Sequence, residues 1–283
     1  MIQLIECPRD AMQGIKEHID TDLKATYINA LLKVGFHTID FGSFVSPKAI
    51  PQMADTAKVL EKLDLSATSS KLLAIIANIK GAEMAVQHPE ITYLGYPFSI
   101  SETFQQRNTK RGIDKAYEDL KVIQSLCEKH GKKLVAYLSM GFGNPYGDPW
   151  NTEVVAHWTE KLADLGIEIL ALSDTVGNAK EADIRLLFET LPKAFPKVTF
   201  GAHLHAGPHD WKSKVEAAYQ AGCRRFDAAM KGFGGCPMAK DDLVGNVATE
   251  NLIPFFKANE ADFSINQEAL QESLQLANRV FLT

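Results

Sequence analysis

Among the residues able to do chemistry, the run His203-Leu204-His205 has the most telling spacing. In an extended strand, residues i and i+2 share a face, so both imidazoles can aim at one point, which suits a metal ion. Taken alone, that pair also fits two histidines satisfied by hydrogen bonds or exposed in a loop. A carboxylate at Asp10 and an amide at Asn246 change the reading. The four side chains make a mixed nitrogen and oxygen shell that leaves positions open for substrate oxygens. Mg2+ or Mn2+ fits such a shell; Zn2+ or Co2+ binds imidazole as well, so the donor set leaves the metal's identity open.

Other polar groups fall near the same strand ends. Arg9 precedes Asp10, and a fixed guanidinium there offers donors to a developing oxyanion, although such pairs are commonly surface ion pairs. Asp40 and Asp174 are further carboxylates that also fit helix caps or ion-pair partners. Cys236 stands in Lys231-Gly232-Phe233-Gly234-Gly235-Cys236-Pro237. That run is either a simple turn or a loop that carries a thiol to a bound ligand as a proton donor.

These residues need a scaffold that gathers strand ends. Short strand-like runs at 2–7, 37–41, 72–77, 91–96, 133–139, 167–173, 198–203 and 224–228 alternate with amphipathic stretches at 22–33, 54–63, 113–129, 151–165, 181–195 and 211–221. Gly35, Gly131, Gly166 and Gly222 each stand between a helical pattern and the next strand, where a left-handed residue ends a helix. The expected fold class is therefore α/β, a (β/α)8 TIM barrel, with a doubly wound sheet as the competing topology. The tail 251–283 reads as a helix followed by another at 267–280, both packed outside the barrel. All 283 residues read as one catalytic domain.

Composition agrees, with 46% apolar and 23% charged residues, enough to bury a large core. The net charge of −5 gives no general reason to approach nucleic acid or an anionic membrane. The apolar runs are far shorter than the roughly 20 residues needed to span a bilayer, and the first residues lack the pattern of a secretory signal. A cytoplasmic location is expected. The four cysteines, Cys7, Cys127, Cys223 and Cys236, have no CxxC spacing and read as free thiols.

Several strings together resemble the 3-hydroxy-3-methylglutaryl-CoA lyase branch of the DRE-TIM metallolyases. They are Glu6-Cys7-Pro8-Arg9-Asp10-Ala11-Met12-Gln13, the run from Ser43 to Met53, Asn78-Ile79-Lys80-Gly81, Ser173-Asp174-Thr175-Val176-Gly177, the histidine pair, the glycine run to Pro237, and Gly245-Asn246-Val247-Ala248-Thr249-Glu250. The resemblance implies a metal bound by Asp10, His203, His205 and Asn246. It further implies a catalytic set of Arg9, Asp10, Asp40, Asp174, His203 and Cys236, and substrate contacts from Gln13, Ser43, Lys48 and Asn78. The implied reaction is cleavage of a branched 3-hydroxyacyl-CoA to acetyl-CoA and a keto acid, typically acetoacetate, by an enzyme whose candidate assembly is a homodimer. Coenzyme A phosphates need cations at the barrel mouth, and Lys48, Arg107, Lys110 and Arg111 are candidates.

The chain departs from the family pattern in four places. Asp40 stands where Glu is usual in the family triad, one methylene shorter, and is expected to need a water or a shifted backbone. Ala206-Gly207-Pro208 follows the histidines, Asn144-Pro145 replaces a Cys-Pro, and a more charged stretch runs from Met238 to Asp242. Competing readings are a Claisen-condensing relative, a hydroxy-keto-acid aldolase, and a barrel that binds metal without turnover. Either Asp10 or His203 could serve as the base for the substrate hydroxyl.

Overall fold

A computed structural model describes residues 1–235 and 244–281. The strand β1 (Gln3–Glu6) leads into helices α1 (Pro8–Gln13) and α2 (Thr21–Leu32). After β2 (Thr38–Ser43) comes α3 (Thr56–Leu60), after β3 (Lys71–Ile75) comes α4 (Ile79–Ala85), and β4 (Ile91–Ser99) is followed by α5 (Glu102–Thr109) and α6 (Ile113–Lys129). The second half continues with β5 (Lys133–Ser139), α7 (Thr152–Asp164), β6 (Ile169–Asp174), α8 (Glu181–Ala194), β7 (Thr199–Leu204), α9 (Trp211–Gln220), β8 (Arg225–Ala228), α10 (Thr249–Ala258) and α11 (Gln267–Phe281).

The strands pair in sequence order, and β8 returns to β1 in parallel, so Gln3 lies opposite Arg225 and Glu6 opposite Ala228. This closure excludes the doubly wound alternative, which would leave two sheet edges unpaired. Alternation along each strand divides two cores. On β5, Leu134, Ala136 and Leu138 join the large core beneath the helices. Val135 and Tyr137 instead join Leu73, Ile75 and Ala171 in a smaller cluster that fills the barrel. Both faces are buried, which is why β5 reads as a nearly unbroken apolar run. Each fully buried leucine contributes about 2 kcal/mol.

Helices cover the outside in the expected way. The buried positions Ala116, Leu120, Ile123 and Cys127 of α6 recur every three or four residues. The four glycines expected to end helices all have positive φ, between 64° and 98°. Helices α1, α4 and α5 were not legible in the sequence, and the expected helix at 54–63 contracts to α3 behind a 3-10 turn at Pro51–Met53. The tail begins helical at Thr249, and α11 docks on the outside, where the N–H of Asn266 donates to the carbonyl of Val34 at 2.9 Å. At its far end Phe281 stacks on Phe233 at 4.9 Å and meets the edge of Tyr27 at 5.8 Å. No helix among the described residues is long and apolar enough to cross a membrane.

Candidate active site

Pro8 at the first position of α1 starts a short helix directly after β1, and this turns Arg9 and Asp10 inward, both buried. The Arg9 Nε donates to both Asp40 oxygens at 3.2 and 3.0 Å, and Nη2 donates to Asp40 Oδ2 at 2.5 Å. Its Nη1 donates to Asp10 Oδ1 at 3.0 Å and Gln13 Oε1 at 2.9 Å. Of the five N–H bonds of a guanidinium, four are thus committed, and one on Nη2 has no acceptor among the described residues. Asp40 therefore reaches Arg9 directly, and the expected intervening water is not needed. The pairing of β2 with β3 shifts register between Asp40 and Gly42, an irregularity beside this carboxylate.

Electrostatics separate the two carboxylates. Burial pushes Asp40 up to about 6, opposed by Arg9, so the pair stays ionised at neutral pH. Burial also raises Asp10, but the charge of Arg9, with His203 and the Asn246 hydrogen bond, outweighs it and holds that carboxyl at about 2. Asp10 Oδ1 accepts from Gln13 Nε2 at 2.7 Å, and Oδ2 accepts from Asn246 Nδ2 at 2.6 Å.

The end of β7 brings both histidines to this carboxylate. Ligand atoms of Asp10, His203 and His205 all lie within 4.8 Å of one another. The Nδ1 of His205 lies 3.1 Å from the carbonyl of Thr175, which makes it the protonated nitrogen. Its Nε2 is buried and has no hydrogen-bond partner among the described residues. Burial, and then the neighbouring His203, push this imidazole down to about 4, so it is neutral with a bare lone pair. A buried lone pair facing a carboxylate and a second imidazole is what a divalent cation requires, so these residues fit one. Asn246 meets the group through its amide nitrogen, Nδ2 donating to Asp10 Oδ2 at 2.6 Å and to the Phe233 carbonyl at 2.9 Å.

A pocket opens over this floor. Arg9, Asp10, Gln13, His203 and His205 line it on one side, and Val45, Ile50, Ile75, Pro97, Phe104 and Tyr137 form an apolar wall. The other residues singled out from the sequence fall elsewhere. Ser43 is buried behind the rim, its Oγ accepting the Val45 N–H at 3.0 Å. Asn78 caps α4 by accepting the Gly81 N–H at 2.9 Å. Lys48 is exposed, in the turn between the pocket residues Val45 and Ala49. Asp174 is not part of the lining: its carboxylate pairs with Lys214 at 2.9 Å and accepts the Ala179 N–H at 3.0 Å. Arg111 is held by Asp119 at 2.8 Å, while Arg107 lies over the Tyr146 ring at 4.6 Å. Cys236 and the charged stretch after it lie outside the described residues.

Two further residues escaped the sequence reading. Asp227, fully buried on β8, has Oδ2 3.1 Å from His203 Nδ1 and accepts from Arg225 Nη1 at 3.0 Å through Oδ1. Burial disfavours the charged form of His203, but the hydrogen bond and charge of Asp227 outweigh it and raise its pKa. Tyr137 presents its ring edge to His203 at 5.5 Å, and its buried hydroxyl has no partner among the described residues. The signal available for Asp227 was an Arg-x-Asp pair on one face of a strand whose neighbours are apolar.

A closed barrel with these groups at the carboxyl ends of its strands defines a (β/α)8 enzyme with a site suited to a divalent cation. The chain belongs to the HMGL-like family, whose model matches residues 2–277. It is 31% identical over 263 residues to the hydroxymethylglutaryl-CoA lyase of Bacillus subtilis, covering 93% of this chain and 87% of that one. It is 29% identical over 275 residues to a 3-hydroxy-3-isohexenylglutaryl-CoA/hydroxy-methylglutaryl-CoA lyase of Pseudomonas aeruginosa, covering 97% and 91%. An HMG-CoA lyase from Acinetobacter baumannii, solved with coenzyme A and 3-methylmalate, superposes with a TM-score of 0.92 at 28% identity, covering 99% of this chain and 91% of that one.

Proposed function

We propose that this chain is a carbon–carbon lyase that cleaves 3-hydroxy-3-methylglutaryl-CoA, or a closely similar 3-hydroxyacyl-CoA, to acetyl-CoA and a keto acid, acetoacetate in the first case. The observation that carries this reading is the meeting of Asp10, His203 and His205 within 4.8 Å, with Arg9 bound to Asp10. Asp10, His203, His205 and Asn246 are the proposed ligands of Mg2+ or Mn2+, with Zn2+ or Co2+ as alternatives. A divalent cation held there supplies Lewis acidity, lowering the pKa of a hydroxyl bound to it.

The chain's own residues supply the rest. Asp10 keeps one carboxylate oxygen when the other holds the cation and is the proposed acceptor of the tertiary hydroxyl proton, whereas His203, with Nδ1 against Asp227 and Nε2 turned to the cation, keeps no lone pair for it. As that proton leaves, the carbonyl forms, the bond between C2 and C3 breaks, and its electron pair becomes the thioester enolate. The uncommitted N–H of Arg9 is the proposed donor to this developing charge, an effect worth about 3–4 kcal/mol. Cys236 is the proposed donor that returns a proton to the enolate carbon. The wall of Val45, Ile50, Ile75 and Phe104 suits the alkyl branch of the acyl group. Lys48, Arg107 and Lys110 are the proposed partners of the coenzyme A phosphates, since Asn108 between the last two lines the pocket.

Incubation of the Mn2+-loaded protein with a set of 3-hydroxyacyl-CoA esters, with products identified by mass, tests the proposal. Acetyl-CoA and acetoacetate from the 3-methylglutaryl ester are expected. Intact esters in the presence of metal-bound protein would leave a binding barrel without turnover.

A further inference from the structure

A buried ion cluster lies behind the site. Lys214, on α9, is 4% exposed, yet it carries an ammonium. Four oxygens surround its Nζ: Asp174 Oδ2 at 2.9 Å, the Gly177 carbonyl at 2.8 Å, the His205 carbonyl at 3.1 Å and Asp210 Oδ2 at 3.0 Å. Asp174 ends β6, Gly177 and His205 follow β6 and β7, and Asp210 stands just before α9, one turn ahead of Lys214. Removing an ammonium and a carboxylate from water costs several kcal/mol for each ion, and an apolar side chain would join a helix to two loops at less cost. The geometry indicates what that cost secures.

His205 is fixed from two directions. Its ring Nδ1 meets the Thr175 carbonyl, and its own carbonyl accepts from Lys214. Thr175 in turn lies between Asp174 and Gly177, both bound to the same ammonium. One cation therefore ties together the backbone of His205 and the loop that orients its ring. We infer that Lys214 is a positioning residue for the metal site, holding the loops after β6 and β7 so that His205 Nε2 points at Asp10 and His203. Asp174 acts through Lys214 as its counter-ion rather than at the reacting atoms. This inference rests on the proposed metal site.

The test is Mn2+ binding, measured by electron paramagnetic resonance. Replacing Lys214→Ala leaves a cage of oxygens with room for a small cation. The variant is expected to bind Mn2+ about 10- to 100-fold more weakly, the range typical of lost support around a ligand. Ethylammonium should restore most of the affinity, and ethanol, of similar size but neutral, should not. Lys214→Arg, which keeps the charge but places a planar fork in a cage shaped for a point cation, should fold and still bind Mn2+ more weakly than the parent. Parent-like affinity in a folded Arg or Ala variant would overturn the inference. So would weakened binding in the Ala variant that ethylammonium leaves unchanged. Should the Ala variant fail to fold, the Arg variant decides. Failure of the parent protein itself to bind Mn2+ would instead remove the metal site, and this inference with it.

Discussion

His203 and Asp227 stand 3.1 Å apart, imidazole Nδ1 against carboxylate Oδ2, at the inner side of the candidate metal group. The carboxylate fixes which nitrogen carries the proton and so turns Nε2 outward. Asp227→Asn should keep the fold, since the amide oxygen can still accept from Arg225. It should weaken Mn2+ binding by about tenfold and lower kcat by a similar factor. Calorimetric titration giving the parent's affinity would remove Asp227 from the site.

Arg9 commits four N–H bonds to three neighbours, a pattern that a lysine cannot copy. Arg9→Lys should lose about 100-fold or more in kcat while the protein stays folded and retains Mn2+. Steady-state kinetics beside metal analysis checks this. Turnover at the parent rate would show that the uncommitted N–H plays no part.

Three of the four thiols are shielded. Cys7, Cys127 and Cys223 are buried; burial pushes Cys127 and Cys223 up to about 12 and Cys7 well above its ordinary value. Iodoacetamide at pH 8 should leave all three largely unmodified in the native state. Inactivation should track labelling of Cys236 and slow when a product analogue is present. Peptide mapping that finds activity lost with Cys7 alkylation, and Cys236 untouched, would reassign the sensitive thiol.

Glu6 gives a pH test away from the chemistry. It is fully buried, accepts the Met230 N–H at 2.8 Å and the Thr249 hydroxyl at 2.5 Å, and burial pushes it up to about 8. An acid with a raised folded pKa holds its proton more tightly in the native state. Folding therefore takes up a proton between the unfolded value near 4.5 and about 8, and stability falls as pH rises through that window. The slope from one group is about 1.4 kcal/mol per pH unit. Glu6→Gln, neutral in both states, should remove that decline. Denaturant unfolding from pH 5 to 8 with the same slope in both proteins would show that Glu6 does not titrate in this range.

The sequence disclosed the barrel through period-two burial and through glycines at helix ends, both local signals. It disclosed the histidine pair for the same reason, since two residues on one strand face need no partner to be recognised. The helices α1, α4 and α5 are eight residues or fewer, started by Pro8 in α1 and by the side-chain caps of Asn78 and Ser101 in the other two, with too few turns to show internal periodicity. The role of Asp174 depends on Lys214, forty positions on, and that of Asp227 on His203, twenty-four positions back. A carboxylate alone in a string does not say whether it faces substrate or a buried cation.

The contact between Asp10 and Asn246 spans 236 positions. Both lie beside the seam where β8 closes on β1. During synthesis on the ribosome the first carboxylate emerges long before the amide that meets it, and β1 waits with one edge open until the last strand arrives. A cation at the proposed site can therefore be held by the full ligand set only after ring closure. A cation caught earlier by His203 and His205 alone would be weakly held and exchangeable. Completion of the proposed metal site is thus tied to the most non-local contact of the site, and a chain released before closure would carry an unpaired strand edge.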